Sequence, residues 1–196
     1  MELFFFPFLK SLIALFIITD SPGNLPFFMG LTEGLSVKEK RSVFASSILT
    51  GFIILILFLL AGTAVFELFG ITLDDFRIAG GILLFWIAIE IMLRGRINFE
   101  HKEDVGIVPL GCPLLVGPGA ITASLVMFKT YGYLVAFSAI SACFVLIWIV
   151  LHYADEIYGF LGKNGSLILT KISAILIAAI AIQFVREGIF GIFKLF

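Results

Sequence analysis

Asp20-Ser21-Pro22-Gly23-Asn24 holds a carboxylate, a hydroxyl, a helix breaker and an amide within five positions of an apolar run. A second stretch, Pro109 to Ile121, reads Pro-Leu-Gly-Cys-Pro-Leu-Leu-Val-Gly-Pro-Gly-Ala-Ile. Five of the six prolines (Pro22, Pro26, Pro109, Pro113 and Pro118) fall in these two stretches. Proline inside a helix removes a backbone donor and clashes with the preceding turn, at about 3 kcal/mol. In hydrocarbon the freed backbone groups find no water, so a break survives only where protein buries it or where it lines a cavity. Two breaks in matching places point to a binding site.

Ser21-Pro22 reads as a helix N-cap followed by proline at the first helical position, and Gly117-Pro118 reads the same way. Each starts a half-helix inside the membrane. The free N–H groups around Gly23-Asn24 and Gly119-Ala120, with the positive ends of two helix dipoles, suit an anionic group, best a carboxylate. Asp20 is the one carboxylate in either motif; Val116 stands opposite it in the second. A charged Asp at the centre of a span costs about 2.5–3.5 kcal/mol on insertion scales, so it calls for a partner. That partner is an ammonium, a sodium ion or a proton; the alternative is a cap on the Pro-Gly turn. Asn24 and Thr122 supply either neutral oxygens or ordinary backbone caps. One anion-seeking pole beside one carboxylate fits a zwitterion such as an amino acid. The substrate-binding candidates are therefore Asp20, Ser21, Gly23, Asn24, Gly117, Gly119, Ala120 and Thr122.

Glu90 is the second candidate for a coupling ion. Arg94 lies four residues on, so an interfacial ion pair is the competing reading. His152 reads as interfacial. Gly117-Pro118-Gly119 lacks the Lys-Ser/Thr of a phosphate loop, and neither a metal-ligand spacing nor a nucleophile elbow is present. The expectation is a protein that is not an enzyme and needs no cofactor beyond a coupling cation, sodium or proton.

The elements that must position these residues are membrane spans. Of 196 residues 61% are hydrophobic and 14% charged, and the mean hydropathy is +1.16. A soluble domain of this size cannot hide so much apolar surface, so the lipid bilayer is the solvent. The net charge of −1 and the lack of a basic tract give no sign of nucleic acid. Cys112 and Cys143 lie in apolar segments and form no disulfide framework. The first segment lacks a basic leader and a small-residue cleavage site and reads as a retained helix.

Six spans are expected, near 3–28, 42–66, 78–93, 105–128, 130–154 and 172–193, the first and fourth discontinuous. An outside N-terminus puts eight basic residues in the cytoplasm (Lys38, Lys40, Arg41, Arg94, Arg96, Lys102, Lys163 and Lys171). Five stay outside: Lys10, Arg77, Lys129, Arg186 and Lys194. This bias predicts extracytoplasmic N- and C-termini in the cell membrane. Pro22-Gly23 and Pro118-Gly119 lie 96 residues apart, Glu67-Leu68-Phe69-Gly70 echoes Glu156-Ile157-Tyr158-Gly159, and Glu90 and Gly95 match Gln183 and Gly188. Three spans per half invert the second half against the first. The fold expected is all-α: one transmembrane domain over 1–196 built from inverted repeats, about 1–97 and 102–196. Ser47 and Gly51, Gly80-Gly81, and Ala174, Ala178 and Ala181 mark close helix contacts.

These motifs resemble the MarC family of integral membrane proteins, whose members include small neutral amino acid transporters. The resemblance covers nearly the whole chain. It rests on Asp20 to Phe28, on Arg77-Ile78-Ala79-Gly80-Gly81-Ile82-Leu83-Leu84-Phe85, and on Pro109 to Ile121. In the family the first motif usually runs Asp/Asn-Pro-x-Gly-Asn; here the proline is displaced by one place. The resemblance implies six helices and transport of glycine- or alanine-sized amino acids. The reading taken is an ion-coupled secondary transporter of glycine, alanine or serine that works by alternating access. An exporter of amino acids or other small solutes and a non-transporting scaffold are the rival readings, and a homo-oligomer stays open beside a monomer.

Overall fold

A computed structural model describes residues 2–19, 21–32, 34–61, 64–94, 105–159 and 162–193. The described residues are helical, without a strand. Helices α1 (Glu2–Thr19) and α2 (Ser21–Leu31) lead into α3 (Val37–Ala61), the short α4 (Ala64–Phe69) and α5 (Leu73–Arg94). An irregular segment, Gly106–Leu115, then leads into α6 (Pro118–Tyr131), α7 (Tyr133–His152), the short α8 (Ala154–Gly159) and α9 (Gly162–Phe193). Asp20, Gly95 and the loop 95–104 lie outside the described residues, and the side chain of Arg94 is not described either.

Local chemistry sets the helix starts. Ser36 and Glu39 form a reciprocal cap on α3: the Ser36 N–H donates to Glu39 Oε2 at 2.8 Å and the Glu39 N–H donates to Ser36 Oγ at 3.3 Å. Thr72 and Asp75 repeat this at α5, at 2.7 and 3.1 Å. The donations from Thr72 hold the exposed Asp75 carboxyl below its usual range. Span two therefore starts earlier than the apolar run suggests, at Val37, and its expected end belongs to a separate helix, α4. The Glu67 and Glu156 echoes sit in the two short helices, α4 and α8.

Length and apolar composition qualify Val37–Ala61, Tyr133–His152 and Ala174–Phe193 as membrane spans. Gly106–Leu115 with Pro118–Tyr131, bent by 58°, makes a fourth when counted as one broken span. Large apolar side chains such as Trp86 (68% exposed) face outward around the bundle, as they do when lipid is the solvent.

Small residues bring the helices together, as the sequence suggests. A Cβ on Gly81 would lie 2.7 Å from the Ala181 carbonyl oxygen, and one on Gly188 would lie 2.6 Å from Ile78 Cγ1. Gly191 abuts the Asp74 carboxylate. The contacts run up α5 as they run down α9, so the two helices are antiparallel. Helices α3 and α7 are also antiparallel. Lys40 Nζ bonds Asp155 Oδ1 at 3.1 Å where α3 begins and α8 follows α7, and Phe52 meets Phe144 at 5.4 Å between ring centroids farther along. Ser47 and Gly51 form the seam on which the proline-rich segment lies: a Cβ on Gly111 would reach the Ser47 carbonyl at 3.1 Å, and one on Gly51 would meet Val116 Cγ2 at 3.1 Å.

The glycine pair at the start of span three gives a sharp test. A Cβ on Gly80 would meet only Pro113, its Cβ at 3.4 Å and its Cγ at 3.6 Å, both ordinary contacts. Gly80→Ala should leave thermal unfolding in detergent unchanged. Gly81→Ala should destabilise by about 1–3 kcal/mol, because backbone on α9 must move. Equal melting temperatures for the two variants would contradict this packing.

Candidate functional site

The second break is built from its own sequence. Val108 and Cys112 precede prolines, and a residue before proline is pushed out of the helical region. Both are extended, at φ −130°, ψ 123° and φ −148°, ψ 132°, and both prolyl bonds are cis. The two extended residues interrupt the helix at Val108 and Cys112. The Val116 N–H still donates to the Gly111 carbonyl at 3.1 Å, so the turn satisfies part of its own backbone.

Helix α6 then begins as expected. Gly117 is its N-cap in an extended conformation, φ −90° and ψ 179°, with Pro118 at the first helical position and no side-chain cap. The Ile121 N–H donates to the Gly117 carbonyl at 3.2 Å. Helix geometry leaves the N–H groups of Gly119 and Ala120 without an intrahelical partner. Val116, Gly117, Pro118 and Ala120 are buried, whereas Gly119 is exposed. A Cβ on Gly117 would sit 2.9 Å from the Pro113 carbonyl oxygen and 3.3 Å from the Phe184 ring, so this turn admits no side chain.

The first break is described on both sides of Asp20. Helix α2 has 11 residues, roughly 16 Å at 1.5 Å per residue, about half a hydrocarbon core. Its described side chains, Asn24, Leu25, Phe27, Phe28, Met29 and Leu31, are all buried. Asn24 does not offer its oxygen as its recorded contact. Its Nδ2 donates to the Thr19 carbonyl at 2.9 Å, capping the end of α1 from across the junction. Thr122 likewise donates to the Pro118 carbonyl at 2.8 Å, which leaves its lone pairs open. Ser21 and Gly23 lie in the first turn of α2, and the Ser21 side chain is outside the described set. Glu90 is half-buried in α5, 13 residues beyond Arg77, or roughly 20 Å along the helix.

A cavity of about 520 Å³ lies between α1 and α6 and reaches the second break. Gly119, Ile18 and Thr122 line it near the α6 N-terminus; Lys10, Ser11, Arg77, Thr130 and Tyr131 line it toward the other end. Reasoning from sequence passed over Lys10 and Ser11. The available signal was a charge beside a hydroxyl within an otherwise apolar first helix.

Among the described residues no cluster of His, Cys, Asp or Glu could hold a metal ion. Cys143 is buried, its Sγ 3.9 Å from Thr19 Oγ1, and Cys112 is half-buried.

Apolar helices, an outward-facing apolar surface and a broken, protein-buried span define a multi-pass helical membrane protein. The MarC family of integral membrane proteins matches over residues 5–193, and the chain belongs to that family. An Archaeoglobus fulgidus UPF0056 membrane protein is 34% identical, over 93% of this chain and 92% of the relative. The Escherichia coli UPF0056 membrane protein YhcE is also 34% identical, over 97% and 95% of the two chains. Bacillus subtilis YvbG, another UPF0056 membrane protein, is 30% identical, over 92% and 93%. No solved structure matches.

The Asn24 amide is a structural clasp, and that can be tested. Asn24→Ala removes the donor and leaves the buried Thr19 carbonyl short of a partner, at about 1–3 kcal/mol. Thr122→Val removes a bond whose acceptor keeps its helical partner, and should stay within about 0.5 kcal/mol. Thermal melts of both in detergent check the order; a larger loss for Thr122→Val would reverse the assignment.

Proposed function

We propose that this protein is a secondary transporter of small neutral amino acids, working by alternating access between two inverted halves. The observation that carries the reading is the α6 N-terminus. It is set at a 58° bend, uncapped by any side chain, and reached by a cavity at Gly119. Unpartnered N–H groups at a helix start favour a carboxylate.

Repetition of the elements supports the two halves. The order α1, α2, α3, α4, α5 is matched by segment 106–115, α6, α7, α8, α9. Under that exchange the packing of α3 on segment 106–115 maps onto the packing of α7 on α1, and α5 with α9 and α3 with α7 map onto themselves. The two self-paired sets are antiparallel, as inversion requires. Counting α1 with α2, segment 106–115 with α6, and α3, α5, α7 and α9 gives six spans. The Lys40–Asp155 pair then belongs to the cytoplasmic end, and Lys10, Arg77 and Arg186 to the outer one.

In this scheme the solute carboxylate rests on the N–H groups of Gly119 and Ala120, with Gly23 and Asn24 as the matching pair in α2. Asp20 faces the ammonium or a coupling cation, sodium or proton, and Glu90 is the second candidate for that ion. Gly117, Gly119 and Ala120 leave no side-chain bulk beside the carboxylate, so glycine, alanine and serine fit and leucine does not.

Uptake of radiolabelled glycine into proteoliposomes under imposed sodium or proton gradients tests the proposal. Wild-type protein should exceed protein-free vesicles under one of the gradients. Asp20→Asn should lower uptake by about tenfold or more, the worth of one charge-assisted contact, with the protein still folded. Unlabelled alanine should compete and leucine should not. No uptake under either gradient would leave the broken span a scaffold feature.

A further inference from the structure

Buried hydroxyls in this protein bond back to their own helix. Thr32 donates to Phe28 O at 2.6 Å, Ser47 to Val43 O at 2.8 Å and Ser124 to Ile121 O at 2.7 Å. Ser11 breaks the pattern. It is 1% exposed, and its Oγ is the one buried side-chain polar atom without a hydrogen-bond partner among the described residues. Such an atom asks for an explanation, and a ligand group that comes and goes is one.

Its surroundings say which group. Ser11 lines the α1/α6 cavity together with Lys10 and Arg77, and with the hydroxyl-bearing Thr122, Thr130 and Tyr131. Arg77 is already paired, Nη1 to Asp74 Oδ1 at 2.6 Å, but a guanidinium carries five N–H donors. Lys10 adds an ammonium on the α1 side. The lining therefore offers cations and hydroxyl donors to a ligand with acceptor oxygens. It also has a direction: Thr122 and Thr130 are eight residues apart on α6, roughly 12 Å of helix between the break and the charged end.

We propose that this cavity is an oxyanion-binding way station on the route to the break, with Lys10, Arg77 and Ser11 holding the group. The inference rests on the transporter reading above and deepens it by assigning the approach path and its charge preference. The oxyanion is the carboxylate of the solute or the phosphate of an anionic lipid. Continuity of the cavity with Gly119 favours the carboxylate, which passes from Ser11 down to the α6 N–H groups.

The test uses Ser11→Cys and, separately, Thr122→Cys, each with Cys112 and Cys143 replaced by alanine, in zwitterionic phosphatidylcholine vesicles. Modification rates with an anionic sulfonate and a cationic trimethylammonium methanethiosulfonate are each normalised to a simple thiol. The anionic reagent should be favoured by about tenfold, the enhancement a like-charged cleft gives an opposite ion. Lys10→Gln should bring the ratio close to one, whereas Lys129→Gln, a basic residue on α6 outside the cavity lining, should not. Slowing by glycine assigns the oxyanion as the solute carboxylate; slowing by added phosphatidylglycerol, with no effect of glycine, assigns it as lipid phosphate. Equal normalised rates, a preference indifferent to Lys10→Gln, or no labelling at either position in folded protein would overturn the site. Glycine uptake by the same vesicles separates the two readings. Uptake without charge preference removes the way station alone, and charge preference without uptake removes the transporter alone.

Discussion

Hydrocarbon offers no partner to a freed backbone group, and that constraint organises this molecule. Two apolar stretches carry proline in their middles, so each must find internal partners for the carbonyls and N–H groups it releases. Asn24 reaches back to the Thr19 carbonyl, and the Val116 N–H turns to Gly111. The long helices serve these breaks. Helix α3 offers a small-residue seam to segment 106–115, and Phe184 of α9 closes over Gly117. What is left unpaired, at Gly119 and Ala120, is left unpaired beside a cavity.

The same economy explains the glycines. Gly81 and Gly188 let α5 and α9 touch backbone to backbone, which fixes the angle of the pair that faces the rest of the bundle. Lipid supplies little driving force for helix association, so close approach and satisfied polar groups must supply it. The pair is not isolated from the breaks, since Phe184 of α9 lies over Gly117 and a Cβ on Gly80 of α5 would meet Pro113.

Much of the architecture was legible in the sequence because proline and glycine act through the backbone. Pro118 set the start of α6 to the residue, and the pairs Ser47/Gly51 and Gly80/Gly81 marked real contacts. Span limits were less legible. Val37 to Arg41 is polar and still helical, since the Ser36–Glu39 cap and the Lys40–Asp155 bridge hold it, and the second of these joins residues 115 apart in the chain. Site chemistry was the least legible part. For Asn24 the sequence left a ligand oxygen and a backbone cap open, and the contact its Nδ2 makes with the Thr19 carbonyl is a cap. Ser11 gave no motif at all; its interest comes from what fails to surround it.

In the transport scheme proposed above, the α1/α6 contact at the break gates the solute. A Cβ on Gly119 would lie 3.4 Å from Ile18 Cγ2, an atom one bond beyond the Ile18 Cβ, so side chains at the two positions are in contact. Ile18→Cys with Gly119→Cys, in a background lacking Cys112 and Cys143, should cross-link under mild oxidation. Glycine uptake should stop when the bond forms and return when it is reduced. A cross-link that forms fully and leaves uptake intact would contradict the account, because the solute would then pass without this contact ever opening.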